Sequence, residues 1–191
     1  MGTVFIDNLE PQSGTSLTLG ASGDTVKVAS GVTNNVGIAM TDMWRQNTTT
    51  AISAATTTVI TSNWEQVDDA AFGSIGSAMT QSSGIFTFPS TGIYLISFTI
   101  QLHSPSQGAT YAGGLIDVTQ DNSTYVNTVE GFQAIYHSNG YGNQTTFQYV
   151  DVTDTSNVKV RFKALMEFAG DILGATDKSK TYAQFIKLGD T

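Results

Sequence analysis

The most regular alternation of apolar and polar positions runs through residues 84–102. Tyr94, Ile96, Phe98, Ile100 and Leu102 share one face at period two, and Ser97, Thr99 and Gln101 take the other. This is the pattern of a strand that covers a core on one side. Leu95 interrupts the polar face once, which predicts a cover there from another strand or another subunit. Upstream, Phe86 and Phe88 share a face with Thr87 turned away. Pro89-Ser90-Thr91-Gly92 between the two arms has turn chemistry, because proline fixes φ and glycine supplies positive φ. The two arms read as a hairpin-like core onto which the remaining chain is built.

The same reading predicts strands over 51–60, 111–118, 125–129, 132–136, 146–152, 158–165 and 181–188. Gln120-Asp121-Asn122-Ser123 and Asp154-Thr155-Ser156-Asn157 supply turns between neighbouring strands. The last strand is apolar on both faces at Ala183, Phe185, Ile186 and Leu188, so it belongs in the middle of a sheet or at a subunit contact. No amphipathic helix of three turns is visible. Short strands with turn signals at regular intervals predict an all-β sandwich or jelly roll over 44–191.

Residues 1–43 read differently. Ser16-Leu17-Thr18-Leu19 and Thr25-Val26-Lys27-Val28 are short alternating runs, each followed by an Ala-Ser-Gly step. Regularly spaced glycines between short strands predict a winding β-rich stalk or docking arm. The arm has too few apolar side chains to bury a core alone, so it needs neighbours. The alternative is a flexible polar leader.

Composition narrows the function classes. Charged residues make up only 13% of the 191, which suits an all-β chain with a neutral polar surface. The net charge of −8 argues against a nucleic-acid partner, whose phosphates select basic surfaces. Six of the eight Lys and Arg residues lie after residue 158. With no cysteine there are no disulfides, thiolate metal sites or cysteine nucleophiles. No apolar run is long enough for membrane insertion or a signal peptide, so the expectation is a soluble chain made in a cytoplasm.

Catalytic chemistry is thinly represented. His103 and His137 are the only histidines, and neither a Gly-x-Ser-x-Gly elbow nor a phosphate-binding loop occurs. The expectation is no catalytic residue, no cofactor and no metal site. Asp68 with Asp69, or Asp151 with Asp154, are the carboxylates that suit calcium, though the second pair also flanks a turn. Lys159, Arg161 and Lys163 form a basic stripe, either to meet an acidic neighbour or as the solvent face of a strand.

The best binding candidate is the stretch Tyr136–Asn143. Tyr136 and Tyr141 offer flat faces for a sugar ring, and His137, Asn139 and Asn143 offer polar groups beside them. The competing reading is a solvated loop or a subunit contact.

Two resemblances bear on function. The stretch 84–98 resembles the "G-x-F-x-x-P-x-x-G-x-Y-x-x-x-F" segment of the complement-type globular head, a branch of the tumour-necrosis-factor-like jelly rolls. The segment 154–160 stands where that family has a Gly-Asp turn and strand, with the Gly-Asp pair itself absent. The stretch 181–188 looks like the family's closing aromatic strand. The resemblance implies a ten-stranded jelly roll that assembles as a homotrimer and works by binding. The leader 14–26 is similar to segments common in fibre and surface proteins of tailed bacteriophages. Together they imply a virion protein made in the bacterial host cytoplasm. Its arm would join capsid or tail proteins, and its head would contact a host surface glycan or protein. A capsid decoration (cement) role, a polysaccharide depolymerase and a secreted lectin are the alternatives.

Overall fold

A computed structural model describes residues 13–14, 20–25 and 38–191. The chain divides into two units, Met1–Asn34 and Asn35–Thr191. In the first, the Ala-Ser-Gly step at 21–23 is a turn. Asp24 N–H donates to Ala21 O at 3.0 Å, and Ala21 N–H donates to the Asp24 carboxylate at 2.7 Å. The expected strands over 16–19 and 25–28 lie outside the described residues, apart from Thr25.

In the second unit every regular element among the described residues is a strand. In chain order they are β1 (Met40–Gln46), β2 (Thr50–Ile52), β3 (Thr58–Val59), β4 (Trp64–Gln66), β5 (Thr80–Ser82), β6 (Ile85–Thr87) and β7 (Gly92–Ser104). There follow β8 (Ala109–Thr119), β9 (Tyr125–Ile135), β10 (Gly140–Val152), β11 (Lys159–Met166), β12 (Gly170–Ile172) and β13 (Tyr182–Gly189). No helix among the described residues is long and apolar enough to cross a membrane.

The strands form two antiparallel sheets, the jelly-roll sandwich that the periodicity predicts. In the first, β7 carries β10 along one edge. Its other edge carries β13 and, near its end, β12; β1 and β4 continue beyond β13, and β2 beyond β12. The second sheet has the order β5-β6-β11-β8-β9, with β3 also on β11. The alternation of 94–102 is realised in full: Tyr94, Ile96, Phe98, Ile100 and Leu102 are all buried between the sheets. Phe98 meets Phe162 of the opposite sheet at 4.7 Å between ring centres, and Trp64, Phe86 and Phe185 complete the aromatic cluster. The two-sided apolar strand β13 sits in mid-sheet between β7 and β1.

Three features differ from the sequence reading. The turn at 89–92 does not close a hairpin. β6 belongs to the second sheet and β7 to the first, so the turn carries the chain from one sheet to the other. Both arms still face the same core, which is why their pattern looked like that of paired strands. The predicted strand 51–60 is two short ones, β2 and β3, on opposite sheets, separated by a bend where Ala55 takes φ +48°. The sandwich also begins before residue 44. Met40 and Asp42 are already buried in β1, and the Asp42 carboxylate accepts from Trp44 Nε1, Gln66 Nε2 and Met79 N at 2.8–2.9 Å.

Candidate binding rim

β9 and β10 are the outer strands of the two sheets, and the turn between them closes one end of the sandwich. Asn139 takes φ +55°, a conformation asparagine tolerates, and Gly140 N–H donates to His137 O at 3.1 Å. Tyr136, His137 and Asn139 stand exposed here. The predicted loop 137–143 is shorter than expected, because β10 already begins at Gly140. Tyr141 and Asn143 are therefore strand residues, on the outer face of the first sheet.

That placement separates the two tyrosines. Tyr141 stacks on His103 at 4.8 Å and 24°, and His103 Nδ1 lies 3.0 Å from Asp171 Oδ2. The three residues are opposite one another in register, forming one row across β10, β7 and β12. Asn143 is next on the same face, opposite Gln101. Tyr136 instead lines a pocket of about 450 Å³ with Ala109, Thr110, Ile135, Glu167 and Phe168. Glu167 Oε2 accepts from Thr110 N at 2.6 Å and from Thr110 Oγ1 at 2.7 Å. These bonds, the backbone one foremost, hold its carboxyl below the usual carboxylate range. Sequence reading passed over Thr110, Glu167, Phe168, His103 and Asp171 as site residues. They come from segments far apart in the chain, and no local spacing marks them.

A second groove, of about 360 Å³, opens at the other end of the same flank between Val118, Val126, Tyr149 and Val150. It runs into an apolar band on the outer face of the first sheet. There Tyr149, Leu95 and Ile186 form a cross-strand row, with Phe147 one step away. Phe147 is 63% exposed and Tyr149 62%. The break that Leu95 makes in the polar face is thus one member of a larger uncovered surface.

No family model matches the chain, and no curated protein matches it. Solved structures do. Murine APRIL at pH 5.0 is similar with a TM-score of 0.56 and 15% identity, covering 78% of this chain and 98% of that chain. Eiger TNF from S. frugiperda is similar with a TM-score of 0.57 and 12% identity, covering 81% and 95%. The fold is a TNF-like jelly roll.

Within this TNF-like sandwich, two other sequence candidates turn out to be committed internally. The basic stripe on β11 is tied down within its own unit. Asp117, 1% exposed, accepts from Arg161 Nε at 3.0 Å and pairs with Lys163 Nζ at 2.5 Å. Lys159 Nζ donates to Thr155 O at 2.6 Å and to Thr87 Oγ1 at 3.1 Å. The three cations are thus held in place by one carboxylate and two neutral oxygens of their own unit. Asp68 and Asp69, the first calcium candidates, both bind the buried guanidinium of Arg45, at 2.9 and 2.5 Å. Burial works against the Arg45 charge, but its hydrogen bonds to Glu65 and Asp69 outweigh that and raise its pKa. Asp154 is a turn residue, its Oδ1 accepting from Ser156 N at 2.7 Å.

Proposed function

We propose that this chain is a binding protein rather than an enzyme: a homotrimeric surface component of a tailed-bacteriophage virion. The chain ahead of β1 anchors it to the particle, and the TNF-like head attaches to the host. The observation that carries the reading is an apolar band in which Phe147 and Tyr149 are exposed and Leu95 and Ile186, beside Tyr149 in register, are half-buried. Contiguous apolar surface of this kind marks a protein–protein contact. A second copy of the chain is the partner the reading assigns to it.

The head also has two distinct ends. Met40 pairs with Lys187, which pairs with Tyr94 near the start of β7, whereas Gly140 of the rim pairs with Ser104 at its finish. From Tyr94 to Ser104 is roughly 33 Å at strand rise. The chain thus enters the head at the end opposite the rim, which suits anchoring at one end and contact at the other. Three such rims on one particle fitting raise avidity without a strong single site. The bacteriophage context rests on the leader's similarity to phage fibre segments.

Light scattering of the purified chain tests the assembly, beside a Phe147→Ser/Tyr149→Ser variant. The reading expects a mass of three chains for the first and one for the second. A monomeric parent chain would remove it. Deleting the protein from the particle separates the two virion roles: intact particles that fail to adsorb support attachment, and fragile particles that still adsorb support the cement alternative.

A further inference from the structure

The rim pocket joins three features that ordinary packing does not explain. Tyr136 is 84% exposed, so its ring contributes almost nothing to the core. Glu167 is held in place through one oxygen only, Oε2; among the described residues its Oε1 has no hydrogen-bond partner. Phe168 and Ile135 are among its apolar lining residues, and Thr110 fixes the Glu167 carboxylate. The volume of about 450 Å³ lies within the range of small-ligand sites.

We propose that this pocket is a subsite for a neutral hexopyranose. The apolar C–H face of the sugar lies on the Tyr136 ring, its edge meets Phe168, and Glu167 Oε1 accepts from ring hydroxyls. The inference rests on the reading of the rim as the outward, binding end of the head.

Other occupants fit less well. An acidic sugar would meet the Glu167 charge inside a protein of net charge −8. A quaternary ammonium group calls for rings on several sides, and the lining here holds two, one open and one partly covered. The groove at Val126 and Tyr149 also has an aromatic beside carboxylates, but it is continuous with the band assigned to self-association.

The test is saturation-transfer NMR on the full-length chain with methyl glucoside, methyl galactoside and methyl mannoside, each in both anomers. Sodium glucuronate and tetramethylammonium chloride serve as comparison probes. At least one neutral glycoside is expected to bind in the millimolar range, and neither comparison probe is. Tyr136→Ala is expected to weaken that binding at least about tenfold, and Glu167→Gln to weaken it less. Because Tyr136 is so exposed, its variant keeps the parent's melting temperature, and Thr110→Val, which removes the hydroxyl bond to Glu167 and leaves the backbone one, provides a second, more mildly weakened variant. Binding of no neutral glycoside, binding unchanged in Tyr136→Ala, or binding of tetramethylammonium in its place would overturn the proposal. The light-scattering mass separates the two readings. A trimer that binds no sugar ends this inference alone, and a monomer that binds sugar ends the assembly reading alone.

Discussion

Asp117 on β8 lies directly opposite Arg161 on β11, and the buried carboxylate holds both that guanidinium and the Lys163 ammonium. Arg161 in turn covers the Tyr125 ring, 4.0 Å from its centre. One acidic side chain therefore pairs with two cations on the outer face of the second sheet. Asp117→Ala leaves both without their counter-charge. The expected cost is about 3 kcal/mol, a melting temperature lower by about 6–12 °C in thermal unfolding. A change within about 1 kcal/mol would mean that solvent already carries most of that charge.

Arg45 presents the mirror case, one buried cation among Glu65, Asp68 and Asp69. Arg45→Met keeps much of the volume but strands three carboxylates, and is expected to destabilise by about 2–4 kcal/mol. Because those carboxylates are already engaged, calcium and EDTA are expected to leave the parent's melting temperature unchanged. A calcium-dependent rise would point to a metal site elsewhere.

Gly84 takes φ +76°, and a Cβ there would lie 2.1 Å from the Ile60 carbonyl oxygen. Backbone strain and collision combine, so Gly84→Ala is expected to cost about 2–4 kcal/mol in denaturant unfolding. Gly73, where a Cβ meets nothing within 4 Å, is the control. Its alanine variant should fall within about 0.5 kcal/mol of the parent.

The acid limb of stability has identifiable contributors. Asp121 accepts from Thr124 N, Ser123 N and Thr119 Oγ1, and these bonds hold its carboxyl well below the usual range. Glu167 is lowered in the same direction by Thr110. A depressed folded-state pKa means that the unfolded chain binds the proton first. The stabilisation is then complete above about pH 4, the ordinary carboxylate value, and is lost as the pH falls through the folded-state value. Melting curves of the parent and Asp121→Asn should differ at neutral pH and converge in strong acid. Curves that stay parallel throughout would remove Asp121 from the account.

Much of the sandwich was legible because strands that bury one face announce themselves. The stretch 94–102 alternates with one break, at Leu95, and the two-sided β13 belonged in mid-sheet or at a subunit contact. What stayed hidden has physical reasons. A turn between two arms facing one core reads the same whether they pair or part, so the crossing at 89–92 looked like a hairpin. Ala55 carries no turn signal, so the break between β2 and β3 was invisible. Gly140 and Gly142 read as loop residues, yet they lie in β10, where Ile135 and Gln133 side chains leave no room for a Cβ. Tyr136 was identifiable as an exposed aromatic, but its pocket needed Glu167 and Phe168, brought there only by the fold.

The position of β13 has a consequence for synthesis. It is the sole strand joining β7 and β10 to β1 and β4, and it is the last strand in the described chain. Until residues 182–189 have emerged from the ribosome, the first sheet exists only as two unjoined halves, with the aromatic core open to water at Phe185. The head therefore closes late, after nearly all of it has been translated. Chains that stop before residue 182 lack the strand that joins the two halves of the first sheet.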